Sequence, residues 1–182
     1  YTNVDKAEED YDTALEINYG GVCKLTDVCR EFDIYLIHIS TDYVFNGRSH
    51  RPYITFSECD PICSYGTTKW LGECYALEYE KSIIIRTSWL YSEYGKNFYR
   101  TMINRIIDKK ETKVVCDQIG SPTYARDLAE FIIFLIEEQD EEDIEAHTGI
   151  YHFTNSGCCS WYDFAASIEQ LWWSKGRNDF IQ

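Results

Sequence analysis

The sequence is poor in basic residues and in long apolar stretches. Its 182 residues include 17 Lys and Arg against 31 Asp and Glu, which gives a formal net charge of -14. Because such a charge repels polyanions, we expect neither nucleic acid nor an anionic membrane surface to be a partner. No apolar run approaches the roughly 18 residues of a membrane-spanning helix, and no signal peptide opens the chain. The sequence therefore predicts a soluble, cytoplasmic protein.

The sequence also lacks the cysteine spacing of a metal or redox site. Its 8 cysteines include no C-x-x-C pair, and several occupy apolar positions, where a free cysteine behaves as a small hydrophobic residue. The grouping that comes nearest to a metal site is Cys59 and Cys63 with His50. We therefore predict reduced thiols and no metal ligands.

Helix and strand patterns alternate along the chain. With 45% hydrophobic and 26% charged residues, it is long enough for one sizeable core and a small second lobe. Apolar residues at helical spacing predict helices, and short continuous apolar runs predict parallel strands buried on both faces. The predicted helices run from Leu15 to Phe32, from Tyr65 to about Glu80, from Phe98 behind an Asn97 cap, from Ala125 to Leu135 and on into the acidic stretch 137–145, and through Phe164, Ile168 and Leu171 behind a Ser160–Asp163 capping box. The predicted strands cover 33–40, 82–90, 113–118 and 149–155.

This alternation predicts an α/β fold with an open, mostly parallel sheet and helices on both faces. In such sheets, ligands bind at the carboxyl ends of the strands. Here those ends are the runs "STDYVF" (40–45) and "RTSWLY" (86–91), which carry hydroxyl groups and aromatic rings. Tyr65 and Lys69 begin the helix that lies between the two runs in the chain.

The spacing of Tyr65 and Lys69 suits the reduction of a carbonyl group. Such a reduction needs an acid to protonate the oxygen, and a free tyrosine with a pKa near 10 is a reluctant donor. A lysine ammonium four residues on, along the same helix face, lowers the cost of the phenolate. A hydroxyl from Thr41 or Ser40 at the adjacent strand end could bind the same oxygen. Alternatively, Tyr65 packs, Lys69 is solvated and Thr41 caps a turn, and the spacing alone leaves both interpretations open.

Longer segments carry a family resemblance. They are "YTNVDKAE" (1–8), "HISTDYVFNG" (38–47), "YGTTKWLGE" (65–73), "IIRTSWLYSEYGKNF" (84–98), "VVCDQIGSPTYARDLA" (114–129) and "GIYHFTNSGCCSWYDFA" (149–165). In order, and nearly in spacing, they resemble the dTDP-4-dehydrorhamnose reductases of the extended short-chain dehydrogenase/reductase superfamily, and the resemblance covers essentially the whole chain. Tyr-x-x-x-Lys is shared across that superfamily, whereas "RTSWLY" and "DQIGSPT" are closer to this family.

The resemblance implies a reaction and an architecture. The reaction is reduction of the 4-keto group of dTDP-4-dehydro-L-rhamnose by NADPH or NADH, which gives dTDP-L-rhamnose for cell-surface polysaccharide. The architecture is a Rossmann-like, doubly wound parallel sheet over residues 1–110, with a small substrate-binding lobe over residues 111–182. The partner would be a nucleotide sugar, a homodimer is compatible with the family, and dependence on Mg²⁺ stays open.

The resemblance also implies roles for individual residues. Tyr65 would be the proton donor, Lys69 its activator and a ligand of the nicotinamide ribose, and Thr41 the third member of the triad. Asn18 would support a proton-relay water, or else be a buried amide that bonds to backbone. Tyr43 and Trp89 would flank the sugar, or else be core aromatics, and Asn97, Asp117 and Gln118 have capping or strand-end roles as their alternatives. The cofactor contacts would be Tyr65, Lys69, Thr2, Val4 and Ser40, and the substrate contacts would be Thr41, Asp42, Tyr43, Trp89, Asn97, Asp117 and Gln118.

The sequence departs from the family pattern at its start and before the tyrosine. The family begins with a strand and a G-x-G-x-x-G phosphate loop, whereas this sequence begins on Tyr1, and its "NYGG" (18–21) does not fit that loop. We therefore expect that about 60 upstream residues are missing and that this chain alone is inactive. The approach "DPICSYG" is also shorter than the Pro-rich stretch of the family.

Two other functions remain open at this stage. One is a different nucleotide-sugar epimerase or dehydratase of the same superfamily, which would keep Tyr65 and Lys69 but differ at "RTSWLY" and "DQIGSPT". The other is a non-catalytic relative that binds a partner, such as the regulatory subunit of methionine adenosyltransferase.

Overall fold

The computed structural model describes residues 1–137 and 148–174. By its contacts the chain forms two units: unit 1 takes residues 1–87 and the described part of 135–153, and unit 2 takes residues 88–134 and the described part of 154–182. The helices are α1 (Tyr11–Leu15), a π-helical turn (Glu16–Gly20), α2 (Gly21–Glu31), α3 (Ser64–Leu77), α4 (Phe98–Ile107), α5 (Ala125–Glu137) and α6 (Trp161–Ser174), with 3₁₀ turns at Asp5–Glu8 and Asp42–Val44. The strands are β1 (Leu36–Thr41), β2 (Ser82–Thr87), β3 (Leu90–Tyr91), β4 (Ile119–Gly120), β5 (Thr123–Tyr124), β6 (Gly149–His152) and β7 (Cys159–Ser160).

Unit 1 is built on a parallel sheet with the strand order β1-β2-β6. The apolar run of β2 makes it the central strand, in which every residue is buried. In the part of the chain that the structure describes, β1 has a strand neighbour on one side only, and only its last two residues, Ser40 and Thr41, are buried. The register pairs Ser40 with Arg86 and Thr41 with Thr87. The predicted parallel α/β fold is confirmed, and the two predicted strand ends lie side by side.

The helix predicted from Leu15 to Phe32 contains the π-helical turn. Its buried side includes Asn18 and Val22, as predicted, but Leu25 is 59% exposed and Phe32 is 66% exposed. After the turn, the predicted residues Val22 and Cys29 are buried together with Thr26, and Leu25 and Phe32 lie to one side of this buried face. The prediction that Leu25 and Phe32 belong to the buried face is therefore wrong.

Helix α3 touches two neighbouring backbones at glycines. A Cβ atom on Gly72 would lie 2.2 Å from the carbonyl oxygen of Asn18 in the π-helical turn. A Cβ atom on Gly66 would lie 2.2 Å from the carbonyl oxygen of Tyr43, just after β1. Because both distances are far below van der Waals contact, only glycine lets α3 sit this close to Asn18 and Tyr43.

Local end signals place the helices of unit 2 correctly. The Asn97 side chain accepts a hydrogen bond from the backbone N–H of Arg100 at 3.0 Å and so caps α4. Ser160 and Asp163 form the predicted capping box, with each backbone N–H bonded to the side chain of the other residue at 2.9 and 3.0 Å. Between α4 and α6, the core of this unit is formed by Met102, Ile103, Ile168 and Trp172.

The second half of the chain differs from the sequence prediction in one strand. The predicted strand at 113–118 is wrong: β4 begins at Ile119, and the Val115 carbonyl accepts a hydrogen bond from the backbone N–H of Tyr162 at 3.0 Å instead of from a strand. The acidic stretch 137–145 lies outside the described residues beyond Glu137.

The two units divide the chain after residue 87, whereas the sequence predicts a domain boundary at residue 110, and that boundary stays a prediction. No helix within residues 1–137 or 148–174 is long and apolar enough to cross a membrane.

The close contact at Gly72 yields a stability prediction. Gly72→Ala should lower the free energy of unfolding by about 1–3 kcal/mol or more, because the new methyl group forces α3 away from the Asn18 carbonyl. Gly20→Ala is the matched control, since its Cβ would meet nothing closer than 4.0 Å. The control should be neutral or stabilising, and urea unfolding measures both. Equal effects of the two substitutions would contradict the close packing of α3.

Candidate active site

Lys69 lies against the carboxyl end of β1. Its ammonium donates a hydrogen bond to the Ile39 carbonyl oxygen at 2.6 Å. Burial lowers the pKa of Lys69 from 10.5 to about 8, and the carboxylate of Glu73 opposes this change. The predicted alternative of a freely solvated lysine is therefore wrong, since the side chain is partly buried and bonded to β1.

Tyr65 and Thr41 meet at the same end of the sheet. The Tyr65 hydroxyl shares a hydrogen bond with the Thr41 side chain, which lowers the pKa of Tyr65, but burial is the larger effect and the pKa is raised overall. Tyr65 therefore keeps its proton throughout the neutral range. The Thr41 oxygen also accepts a bond from the Tyr43 backbone N–H at 3.2 Å, so Thr41 both caps a turn and contacts the tyrosine.

Asp42 and Tyr43 extend this group of side chains. The Thr41 hydroxyl donates to Asp42 Oδ1 at 3.1 Å, and burial raises the pKa of Asp42 from 3.8 to about 6. The Tyr43 ring stands edge-on to the Tyr65 ring with centroids 5.5 Å apart, and Tyr43 is 40% exposed. Tyr43 is thus a surface aromatic beside Tyr65 and not a core residue.

Asn18 is buried in the π-helical turn and bonded through its side chain. Its Nδ2 donates to Thr68 Oγ1 at 3.1 Å, and its Oδ1 accepts a bond from the Tyr1 nitrogen at 3.0 Å. Thr68 in turn donates to the Tyr65 carbonyl at 2.9 Å. Asn18 therefore connects the first residues of the chain to the helix that carries Tyr65 and Lys69. The relay role that the resemblance implies stays a prediction.

A buried ion pair that the sequence interpretation missed lies one helical turn beyond Lys69. Glu73 is 1% exposed and Arg86 is 4% exposed, and the guanidinium donates to both carboxylate oxygens through Nε at 3.0 and 3.1 Å and through a short Nη2 contact. Ser40 donates to the same carboxylate at 2.8 Å. Ser40 was a predicted cofactor contact, but here its hydroxyl donates to Glu73 inside the fold. The sequence signal for this cluster is a pair of opposite charges in two segments that the fold buries, Glu73 in "YGTTKWLGE" and Arg86 directly after the apolar run of "SIIIRT".

Two of the predicted cofactor contacts, Thr2 and Val4, lie at the start of unit 1, ahead of its first turn. Thr2 is exposed and Val4 is half-buried just before the 3₁₀ turn Asp5–Glu8. At the end of this turn, the Glu8 carboxylate accepts bonds from the backbone N–H and the hydroxyl of Ser64, both at 2.7 Å. The segment that carries Thr2 and Val4 is therefore tied to the first residue of α3.

In unit 2, Trp89 has a strained backbone and a stacked ring. Its φ angle is 49°, in the left-handed region that non-glycine residues rarely adopt. Its indole stacks on Trp161 with centroids 3.5 Å apart, and a Cβ atom on Gly120 would meet the Trp89 ring at 2.4 Å. Trp161 therefore covers one face of the ring.

The other predicted substrate contacts of unit 2 fall into two groups. The Asn97 amide donates to the carbonyls of Ser92 and Tyr94, both at 2.9 Å, in addition to its capping bond, so its side chain has the structural role that was its alternative. Asp117 and Gln118 are exposed just before β4. Their contact with a substrate stays a prediction.

The thiols nearest to a metal pattern have other partners. Cys63 Sγ accepts a hydrogen bond from the Gly66 backbone N–H at 3.4 Å and caps α3, and Cys59 Sγ accepts one from Arg86 at 3.2 Å. Within the described ranges, no three His, Cys, Asp or Glu side chains are placed to hold a metal ion.

Comparison with known proteins identifies a family that matches this chain. Residues 1–178 match the family described as the RmlD substrate binding domain. The spore coat polysaccharide biosynthesis protein SpsK of Bacillus subtilis is 44% identical over 169 residues, which cover 92% of this chain and 57% of that protein. A dTDP-4-dehydrorhamnose reductase of Aggregatibacter actinomycetemcomitans is 41% identical with the same coverage.

A solved structure shows the same relationship. The dTDP-4-dehydrorhamnose reductase of Bacillus anthracis, crystallised in complex with NADP, aligns with a TM-score of 0.84 at 41% identity, over 94% of this chain and 59% of that one. The chain therefore spans a little over half the length of the relatives it matches, and the predicted Rossmann-like fold is confirmed.

The raised pKa of Asp42 predicts a pH-dependent stability. Because folding raises this pKa from 3.8 to about 6, the proton on Asp42 stabilises the fold below pH about 4, and this contribution is lost as the pH rises through about 6. Asp42→Asn should therefore raise the free energy of unfolding at pH 7 by up to about 2 kcal/mol, and with it the melting midpoint. At pH 4 the substitution should change the midpoint little. The exposed Asp12→Asn on α1 is the control and should change the midpoint little at either pH. A lower midpoint for Asp42→Asn at pH 7 would contradict this assignment.

Proposed function

The chain belongs to the RmlD substrate-binding-domain family, and we propose on this basis that it serves the reduction of a dTDP-4-keto-6-deoxy sugar by a nicotinamide cofactor. The proposed substrate is dTDP-4-dehydro-L-rhamnose and the product is dTDP-L-rhamnose. The observation that carries the proposal is the hydrogen bond between the Tyr65 and Thr41 side chains, with Lys69 one turn further along α3, at the carboxyl end of β1.

In the proposed reaction, Tyr65 gives its proton to the 4-keto oxygen as the carbonyl carbon is reduced. The Thr41 hydroxyl binds the same oxygen while negative charge develops on it. Lys69 lies four residues further along α3, and its positive charge would stabilise the phenolate that Tyr65 becomes, because a bare phenolate is costly in a buried site. Because burial holds the pKa of Tyr65 above its ordinary value, the donor is fully protonated at neutral pH.

The hydrogen-bond donors of the site suit the nicotinamide half of a dinucleotide cofactor. When bound, a reduced nicotinamide supplies the hydride that adds to the carbonyl carbon. The Lys69 ammonium and the Tyr65 hydroxyl would hold the nicotinamide ribose through its hydroxyls, since both donors lie at the carboxyl end of β1. For the pyrophosphate, the sequence offers no G-x-G-x-x-G loop, and "NYGG" (18–21) lies inside the π-helical turn and the start of α2. NADPH is the proposed first choice over NADH, by likeness to the NADP-bound relative.

The remaining parts of the proposal concern the substrate and the setting. Tyr43 and Asp42, beside Tyr65, are proposed to contact the sugar, because a partly exposed ring and a carboxyl group suit the faces and hydroxyls of a deoxyhexose. Trp89, Asp117 and Gln118 of unit 2 stay proposed substrate contacts. We also propose that the reaction takes place in the cytoplasm, that the product feeds polysaccharide synthesis and that a homodimer forms.

A direct assay tests the proposed function. The natural gene product in which this sequence occurs is incubated with NADPH and dTDP-4-dehydrorhamnose, and the absorbance of NADPH is followed. Oxidation of NADPH with dTDP-rhamnose as the product supports the proposal. A folded, cofactor-binding protein that oxidises no NADPH would contradict it, and the same assay with other dTDP-4-keto-6-deoxy sugars identifies a different substrate. Parallel runs with NADH, and with and without Mg²⁺, decide the cofactor and the metal.

Removing the proton donor should remove the activity. Tyr65→Phe keeps the ring but not the hydroxyl, so we expect kcat to fall by at least about 10²-fold with cofactor binding largely intact. Tyr75→Phe on the same helix is the matched control, because its hydroxyl donates to Asp27 on the surface at 2.8 Å, away from the site. Near-normal kcat in Tyr65→Phe would remove Tyr65 as the acid.

The lowered pKa of Lys69 predicts the alkaline limit of the activity. The ammonium form is the active one in the proposed mechanism, and its pKa is about 8. We therefore expect kcat/KM to fall as the pH rises through about 8, whereas Tyr65, with its raised pKa, still holds its proton there. An activity that stays level to pH 10 would show that the charge of Lys69 is not needed.

A further inference from the structure

We propose that Glu73, held by Ser40 and Arg86, is a positioning residue that keeps Lys69 charged and in place at the end of β1. This inference rests on the proposed function, because it gives Lys69 a task that depends on its charge. Glu73 itself has no contact with a reacting group and acts only through Lys69. The role adds a second group of residues, the Ser40–Glu73–Arg86 cluster, to those that contact the cofactor and the sugar.

The geometry of the cluster follows from the register of the sheet. Ser40 on β1 and Arg86 on β2 are paired partners in neighbouring strands. Glu73 on α3 receives hydrogen bonds from both, at 2.8 Å from Ser40 and at 3.0 and 3.1 Å from the Nε of Arg86. One carboxylate thus joins the helix to two adjacent strands at a single level of the sheet.

The same helix face carries Lys69 to the preceding residue of β1. Lys69 and Glu73 are four residues apart in α3, so their side chains are neighbours on one face. Lys69 bonds to the carbonyl of Ile39, and Glu73 bonds to the hydroxyl of Ser40, the next residue. These two consecutive contacts fix the height and rotation of α3 against β1, and Lys69 cannot shift along the strand without breaking one of them.

The charges around Lys69 explain why it needs a carboxylate. Burial alone drives the lysine towards its neutral form, and Glu73 is the group that raises the pKa of Lys69. His38 on β1 offers no negative charge, because burial and Lys69 lower its pKa to about 4 and it is neutral. Tyr65, four residues before Lys69 on the same face of α3, keeps its proton and adds no negative charge at neutral pH.

Arg86 makes a buried carboxylate tolerable without drawing on Lys69. An unpaired carboxylate at 1% exposure would be costly to bury. Arg86 pairs with Glu73 from β2, while its other N–H groups reach the Thr55 carbonyl at 3.4 Å and Cys59 Sγ at 3.2 Å, and its guanidinium lies 5.1 Å from the centre of the Phe45 ring. Lys69 therefore keeps its donors for the Ile39 carbonyl and for a ligand.

The test measures Lys69 directly, in a variant that leaves no buried charge unpaired. Glu73→Gln alone leaves the buried charge of Arg86 unpaired, so the decisive variant is Glu73→Gln/Arg86→Gln, which replaces the ion pair by two amides. Glu78→Gln, an exposed position at the end of α3, is the matched control. The natural gene product is labelled with ¹³Cε-lysine, the Lys69 resonance is assigned with Lys69→Met, and its titration midpoint is recorded by NMR in the absence of substrate.

The expected result is a drop of about one pH unit in the Lys69 midpoint of the double variant, and no change in Glu78→Gln. The alkaline limb of kcat/KM should move down by the same amount, whereas a purely structural cluster would change stability and leave both midpoints alone. A folded double variant with an unchanged Lys69 midpoint would overturn the inference. A wild-type protein without reductase activity would overturn the proposed function, and the NMR titration would still decide the role of Glu73.

Discussion

A carboxylate and a guanidinium are withdrawn from water together where α3 crosses β1 and β2. Each would be costly to bury alone, and the pair is tolerated because Glu73 and Arg86 satisfy each other and their remaining polar atoms are bonded to Ser40, Thr55 and Cys59. An ion pair in such a place contributes less to net stability than to specificity of position, because any shift of α3 would leave a buried charge unpaired. The rest of unit 1 depends on this constraint.

The position of α3 in turn determines the chemistry. Gly66 and Gly72 let the helix approach the Tyr43 and Asn18 backbones, and the ion pair fixes it along the sheet. These contacts bring Tyr65 to Thr41 and Lys69 to the Ile39 carbonyl. The same partial burial raises the pKa of the tyrosine and lowers that of the lysine. The candidate site thus holds a tyrosine that stays protonated and a partly buried lysine one turn further along the same helix, and we propose that they serve ketone reduction as proton donor and supporting cation.

The sequence predicted what is encoded locally and failed where distant residues decide. The Asn97 cap and the Ser160–Asp163 box depend on neighbours within one turn, and both are confirmed. A strand exists only with a partner, so the β-like composition of 113–118 misled. The helical spacing of Leu25 and Phe32 also misled, because spacing alone does not show which side of a helix finds a packing partner. The motif with Tyr65 and Lys69 pointed to the strand end where the candidate site lies, but nothing in the sequence showed that Ser40 would bond to Glu73, or that Trp89 would stack on Trp161. Those contacts join residues far apart in the chain.

A double-mutant cycle on Glu73 and Arg86 tests most directly whether the structure depends on this pair. The free energy of unfolding is measured in urea for Glu73→Gln, for Arg86→Gln and for the combined variant. We expect each single substitution to cost about 3–5 kcal/mol and the combination to cost much less than their sum, because removing both charges leaves neither one unpaired. Additive losses would contradict the account, since they would show that the two side chains stabilise the fold independently and that α3 is held to the sheet by other contacts.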